Sequence, residues 1–170
     1  MTTISSATFK TTIINICNAH WLNHWRDDDY HPSLPIGNYF VKYDSYESLE
    51  PQVMTQRHVY YYAKTQTNAP RIPKVEYFFR DDVGRGYLVM EHVAIIPTPK
   101  NLAERTAEAL DWLALVPAPP NHVLGPLGGG VIHHRFFQDC EAPLVFSSVG
   151  ALERYINEVR PCLYFLKHPP

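Results

Sequence analysis

Hydrophobic and polar residues alternate in IGNYFVKYDS, residues 36–45, a segment rich in residues that favour strands. The alternation predicts a strand over about residues 38–43, and this strand carries Lys42. The next segment, SLEPQVMTQRHVYYYAK, has apolar residues at helical spacing, with Ser48 as a candidate N-cap and Pro51 in the first turn. It predicts a helix of about four turns.

Two later segments, KVEYFFR and GYLVMEHV, have the composition of strands and are joined by the turn-like DDVGRG. Together they predict a β-hairpin. The predicted sheet is therefore at least partly antiparallel, and the predicted fold class is α+β.

Two more helices are predicted in the second half of the chain. Asn101 is a candidate cap for LAERTAEALDWLAL, with Glu104 three residues further on. One face of this helix carries Leu102, Thr106, Leu110 and Leu113. The segment SVGALERYINEV predicts a last helix, capped by Ser147 or Ser148.

Composition and charge narrow the class of protein. A chain of 170 residues that is 45% hydrophobic suits one ordinary domain with a core. A net charge of -2 with dispersed basic residues predicts no nucleic-acid partner. No apolar run approaches the roughly 20 residues that span a bilayer, and the N-terminus has no leader pattern, so no membrane association is expected. The chain has three cysteines, Cys17, Cys140 and Cys162. Because their number is odd and they are widely spaced, we predict reduced thiols in a cytoplasmic protein.

The histidines and glycines predict no metal or phosphate site. His20 and His24 are one helical turn apart and could chelate zinc, but Trp21 stands where the HExxH motif has glutamate. The acidic run at residues 27–29 lacks the alternation and glycine of a calcium loop. The segment GPLGGGVIHH lacks the lysine and hydroxyl of a phosphate-binding loop, so its glycines are expected to serve positive φ angles.

Six phrases, in order over roughly residues 34–159, resemble the fungal kinase-like proteins related to aminoglycoside phosphotransferases. They are FVKY, APRIPKVEYFF, GYLVMEHV, ALDWLALVPAPP, GPLGGGVIHHRFFQD and APLVFSSVGALERYIN. The resemblance implies a protein-kinase-like small lobe, an antiparallel sheet plus a helix, over residues 34–96. A helical or irregular segment at 1–33 would precede it, and residues 97–170 would form a helical and loop extension that begins an incomplete large lobe.

The resemblance also implies a nucleotide site, with ATP and Mg²⁺ as the possible cofactors. Lys42 looks like the lysine that pairs with the α- and β-phosphates of the nucleotide. The family holds this lysine with a helix glutamate, whereas the aligned residue here is Gln52, with Glu50 just before Pro51. Either Glu50 takes the role or the charge pair is weakened.

The segment after the second hairpin strand looks like the hinge of a kinase. Its backbone groups would bond an adenine edge, and the residues concerned are Met90, Glu91, His92 and Val93. Val41 and Leu88 would line the apolar slot for the adenine ring.

No catalytic residue is predicted. The family's HGD-like loop and IDW-like strand would follow ALERYIN, and neither does; Asp139 lies upstream in the wrong phrase. The first hypothesis is a catalytically incomplete kinase-like protein that at most binds a nucleotide or another small molecule. The second is a binding or regulatory module that self-associates as a homo-oligomer or docks a partner. The third is an enzyme of another class that uses His, Tyr or Cys side chains in the inherited pocket.

Overall fold

A computed structural model of the protein describes residues 6–94, 100–120, 124–137 and 140–167. The helices are α1 (Ser6–His24), α2 (Tyr46–Ala63), α3 (Leu102–Ala114) and α4 (Val149–Lys167). The strands are β1 (Ser33–Ile36), β2 (Tyr39–Ser45), β3 (Val75–Arg80) and β4 (Arg85–Glu91). They form one antiparallel sheet in the order β1-β2-β4-β3. The predicted α+β class is confirmed.

The sheet has a helix on each face. Alternate residues of β2 and β4 pack with α1, in a core of Ile13, Cys17, Val41, Tyr43, Phe79, Tyr87 and Val89. The intervening residues pack with α2, in a core of Leu49, Val53, Val75, Leu88 and Met90. Because both faces are covered, β4 is buried at five consecutive positions, from Gly86 to Met90.

The strand predicted over residues 38–43 is present as β2, and Lys42 lies on it, opposite Leu88 of β4. Strand β1 was not predicted. It pairs with β2 through a tight turn at Gly37, where φ is +59°. Its Pro35 is tolerated because β1 lies at the edge of the sheet.

Helix α2 begins earlier than predicted. Its N-cap is Ser45, whose side chain accepts a hydrogen bond from the backbone N–H of Ser48. Pro51 consequently lies in the second turn, not the first. The early start requires Gly86, because a Cβ atom at that position would lie 2.9 Å from the Tyr46 Cα.

The predicted hairpin is confirmed as β3 and β4. The Asp81 side chain accepts hydrogen bonds from the backbone N–H groups of Val83 and Arg85, at 3.1 and 2.9 Å. Gly84 completes the turn with a φ of +88°. These contacts fix where β4 starts.

Helices α3 and α4 differ from the predictions in their capping, in the burial of their side chains and in where they end. Asn101 is the N-cap residue of α3, but its side chain makes no capping hydrogen bond, and no α3 side chain is buried. The Ser148 hydroxyl accepts the backbone N–H of Ala151, which identifies it as the capping side chain of α4. Helix α4 continues to Lys167, beyond the predicted segment. No helix among residues 6–94, 100–120, 124–137 and 140–167 combines the length and hydropathy of a membrane span.

The chain divides into two compact units, Met1–Val116 and Pro117–Pro170. The predicted boundaries at residues 33 and 96 do not coincide with this division. Ile13 and Cys17 of α1 belong to the same core as the sheet, and α3 belongs to the first unit. The second unit has its own apolar cluster around Phe137, Ala142 and Phe146.

Candidate functional site

The Lys42 side chain lies on the α2 face of the sheet, as predicted. Its cross-strand partner Leu88 belongs to the core beneath α2. Lys42 and Gln52 line one cavity of about 260 Å³. The other residues around this cavity are His31, Pro32, Ser33, Tyr43, Asp44 and Leu49.

Between the two candidate partners of Lys42, the structure brings Gln52 to the lysine cavity and not Glu50. The Glu50 carboxylate accepts a hydrogen bond from the Tyr46 hydroxyl at 3.1 Å. The Tyr46 ring stacks on Phe78 of β3, with ring centroids 4.7 Å apart. Glu50 is therefore held toward the β3 side, because residues two apart on a helix point in nearly opposite directions.

The Lys42 ammonium has no ion pair or hydrogen bond within the part of the chain that the structure describes. Asp44 is the carboxylate nearest along the same strand face, and it lines the same cavity. Its oxygens accept hydrogen bonds from the Ser45 backbone N–H at 2.7 Å and from the Ser48 hydroxyl at 3.4 Å. Asp44 therefore serves the start of α2, and the positive charge of Lys42 stays available.

Two N–H groups of the predicted hinge are already used inside the first unit. The Glu91 N–H donates to the Lys74 carbonyl at 2.9 Å, and the His92 N–H donates to the Asn38 carbonyl at 3.1 Å. The His92 ring stacks on Phe40. Met90 is buried under α2, and Val93 is half-buried beyond the end of β4. An adenine edge would have to compete with existing backbone hydrogen bonds at Glu91 and His92.

The predicted apolar slot is wrong in its composition. Val41 is paired with Val89 and packs against α1, whereas Leu88 packs against α2. Successive side chains of a strand point to opposite faces, so Val41 and Leu88 cannot line one slot. Phe40 and Met90 share the face of Leu88 and Lys42.

Glu91 instead takes part in a second polar cavity of about 520 Å³, between the end of α2 and the start of β3. Its carboxylate forms an ion pair with Arg71 and accepts the Lys74 backbone N–H at 3.5 Å. The hydrogen bond from Arg71 lowers the pKa of Glu91. Lys74 is paired with Glu76 at 2.8 Å. Most charges around this cavity therefore neutralise one another.

His20 and His24 lie on one helix, as the spacing indicates, but their Nδ1 atoms have different partners. His20 Nδ1 contacts the Tyr43 hydroxyl at 2.6 Å, and His24 Nδ1 contacts the Asp27 carboxylate at 2.8 Å. Across the described stretches of the chain, no three His, Cys, Asp or Glu side chains converge as metal ligands do.

Sequence reasoning missed a chain of hydroxyl groups beneath α1. The buried Tyr43 hydroxyl contacts both His20 Nδ1 and, at 2.9 Å, the Tyr30 hydroxyl. Burial raises the pKa of Tyr43, and the hydrogen bond with Tyr30 raises it further. The sequence carried a weak signal of these Tyr43 contacts. The alternation of residues along β2 places the Tyr43 side chain on the face of the sheet opposite to that of Lys42.

The folded state favours neutral His20, which predicts a pH dependence of stability. Burial, with a smaller effect of His24, lowers the pKa of His20 below 6.5. Unfolded His20 takes up a proton as the pH falls through its ordinary pKa, and folded His20 does so only at a lower pH. The stability contributed by this group is therefore complete above the ordinary pKa and is lost below it.

We expect the melting temperature of the wild type to fall between about pH 7 and about pH 5, and to fall less in His20→Gln. The matched control is His31→Gln, which should keep the pH dependence of the wild type because His31 is exposed. Thermal unfolding followed by tryptophan fluorescence at each pH measures the melting temperature. Equal pH dependence in wild type and His20→Gln would contradict the assignment.

Cys17 and Cys140 are free cysteines. Cys17 is buried, and burial raises its pKa to about 12. A thiol with so high a pKa carries almost no thiolate at neutral pH and is a poor nucleophile. Cys17 therefore offers little to the hypothesis of an enzyme that uses cysteine. Cys140 is exposed, in the second unit.

The glycine-rich segment of the second unit has the conformation predicted for it. Gly125, Gly129 and Gly130 all have positive φ. The neighbouring histidines have separate contacts: His133 Nδ1 lies 3.4 Å from the Glu141 carboxylate, and His134 Nδ1 accepts the Phe136 N–H. Asp139, which the sequence did not support as a catalytic residue, lies outside the described residues.

Comparison with known proteins adds no relative: no family model, curated protein or solved structure matches the chain. The fold and the Lys42 cavity define an α+β protein with a four-stranded antiparallel sheet and a polar site between that sheet and α2.

Proposed function

We propose that the chain is a kinase-like binding lobe that holds a phosphate group of a nucleotide or another small molecule at Lys42 and does not transfer it. The observation that carries the proposal is that Lys42 lines a cavity of about 260 Å³ and has no ion pair in the described residues. A lysine on a strand is a mobile point cation suited to phosphate oxygens. The family resemblance likewise implies a strand lysine that pairs with nucleotide phosphates, although the family also holds that lysine with a helix glutamate.

The neighbours of Lys42 favour binding of an anion over an internal charge pair. Gln52 supplies an amide in place of a carboxylate, and its Nε2 donates to the Ser48 carbonyl at 3.1 Å. Because no glutamate neutralises Lys42 from α2, its charge attracts a ligand phosphate more strongly than a paired lysine would. Ser33 and His31 add hydrogen-bonding groups to the cavity wall.

The hydrogen bonds of the predicted hinge favour a site that recognises the phosphate groups of a ligand and not its base. The N–H groups of Glu91 and His92 already have backbone partners, so adenine gains little there. We therefore expect affinity to follow the phosphate groups more closely than the base. Pyrophosphate and ADP should bind with similar affinity.

The test is calorimetric titration of ADP and pyrophosphate into wild type and Lys42→Ala. Loss of a charged hydrogen-bonding partner should weaken both affinities about tenfold or more. The matched control is Lys10→Ala, since Lys10 lies on α1 over the Phe79 ring, on the other face of the sheet. Equal weakening by both variants would reveal general charge attraction. Unchanged binding in Lys42→Ala would refute the site.

A further inference from the structure

A third cavity of the first unit, of about 450 Å³, lies where the end of α1 approaches the β3–β4 turn. Aromatic and apolar residues form about half of its wall, namely Trp21, Tyr30, Pro32, Tyr43 and Val83. Arg85 is the cation that lines it, and Asp44 is the acid. A cavity of this size that combines several aromatic side chains with a charged group has features of a small-molecule site.

The Arg85 guanidinium is positioned by aromatic rings. It lies 5.6 Å from the Trp21 ring centroid and 5.9 Å from the Tyr43 ring centroid. Its Nη1 donates to the Asn18 side chain at 2.8 Å. The backbone N–H of Arg85 is held by Asp81 at 2.9 Å. The side chain is therefore fixed from both ends, which lowers the entropy cost of binding a ligand.

The charge of Arg85 has no carboxylate partner among the residues for which the structure gives side chains. A guanidinium has five N–H donors, and the contact with Asn18 uses one of its nitrogens. The remaining donors form the planar fork that matches a carboxylate. Arg85 is thus prepared to receive an anionic group.

The aromatic wall is held in place by hydrogen bonds. Tyr30 and Tyr43 are joined through their hydroxyl groups at 2.9 Å, and Tyr43 is anchored to His20 at 2.6 Å. The Trp21 side chain is 39% exposed, and that of Val83 is 87% exposed, so both offer apolar surface to a ligand. Covering such surface with an aromatic ring is favourable.

Arg85 sets the charge of the ligand. It is the cation that lines this cavity, so a single carboxylate on the ligand matches it. Asp44 also lines the cavity, but its carboxylate is hydrogen-bonded to Ser45 and Ser48.

We propose that this cavity binds a small aromatic monocarboxylate, with the carboxylate on the Arg85 guanidinium and the ring against Trp21, Tyr30 and Val83. The site is separate from phosphate binding at Lys42 and requires no nucleotide. It gives the first unit a second ligand class.

The test is calorimetric titration of the full chain with 3-phenylpropionate. The neutral 3-phenylpropanamide, which removes the charge, and acetate, which removes the ring, are compared with it. We expect 3-phenylpropionate to bind most tightly. Equal affinity of the amide, or no binding of 3-phenylpropionate at millimolar concentration, would overturn the proposal.

Single substitutions test where 3-phenylpropionate binds. Arg85→Gln should weaken 3-phenylpropionate binding about tenfold or more. The matched control Arg80→Gln should leave the affinity unchanged, because Arg80 also lies over a tyrosine ring, that of Tyr46 at 5.7 Å, but does not line the cavity. Binding that survives in Arg85→Gln would refute the role of the guanidinium.

The variant Val83→Glu gives a second test, which does not depend on whether the Arg85→Gln variant folds. Val83 is almost fully exposed, so an added carboxylate should leave the fold intact while repelling the ligand. Lys42→Ala separates the two cavities: it should weaken pyrophosphate and leave 3-phenylpropionate unchanged. Loss of 3-phenylpropionate binding in Lys42→Ala, or full binding in Val83→Glu, would place the carboxylate elsewhere and overturn the proposal.

Discussion

Replacing Tyr87 by alanine is expected to lower the free energy of unfolding of the first unit by about 3–5 kcal/mol. Tyr87 lies in the middle of the sheet on β4, with 0% of its surface exposed. Its ring stacks on Phe79 with centroids 5.2 Å apart, and its hydroxyl donates to the Asp81 carboxylate at 2.9 Å. Alanine would leave a cavity in the core and remove a hydrogen bond of the β3–β4 turn.

Urea denaturation followed by tryptophan fluorescence measures this loss, because Trp21, Trp25 and Trp112 all lie in the same unit as Tyr87. Tyr87→Phe keeps the ring and should cost about 1.5–3 kcal/mol through the lost bond to a charged acceptor. The matched control is Tyr61→Ala on α2, where 66% of the side chain is exposed, and it should cost about 1 kcal/mol or less. A cost for Tyr87→Ala equal to that of the control would contradict the described core.

Mg-ATP is expected to release phosphate at the same rate with and without the protein, whereas kinases typically turn over at about 1–100 s⁻¹. Phosphoryl transfer depends on carboxylates that position the acceptor and hold Mg²⁺. Asp44 is the carboxylate around the Lys42 cavity in the described residues, and its oxygens are hydrogen-bonded to Ser45 and Ser48. A lysine cannot supply the carboxylates that hold Mg²⁺.

The measurement is phosphate release from Mg-ATP by wild type, Lys42→Ala and His133→Ala. His133 lies in the second unit and serves as the control variant. Turnover at an enzyme-like rate that Lys42→Ala abolishes would show a complete catalytic site at Lys42. Turnover indifferent to Lys42 would favour an enzyme of another class.

The sequence by itself determined the main elements of the sheet and the face that Lys42 occupies. Alternation in residues 36–45 predicted β2, and the two β-rich segments around DDVGRG predicted the β3–β4 hairpin. These signals are local, because strand periodicity and turn chemistry act within a few residues. The order of strand, helix and hairpin then placed Lys42 under α2.

Only the tertiary structure decided which side chains meet. It showed that Gln52, and not Glu50, shares the lysine cavity, because the contact of Tyr46 with Phe78 on β3 draws Glu50 to the other side of α2. It separated Val41 from Leu88 by pairing them with different helices. It also assembled Arg85 with Trp21 and Tyr43 from distant parts of the chain, and no local pattern encodes such a contact because its partners are joined only by packing.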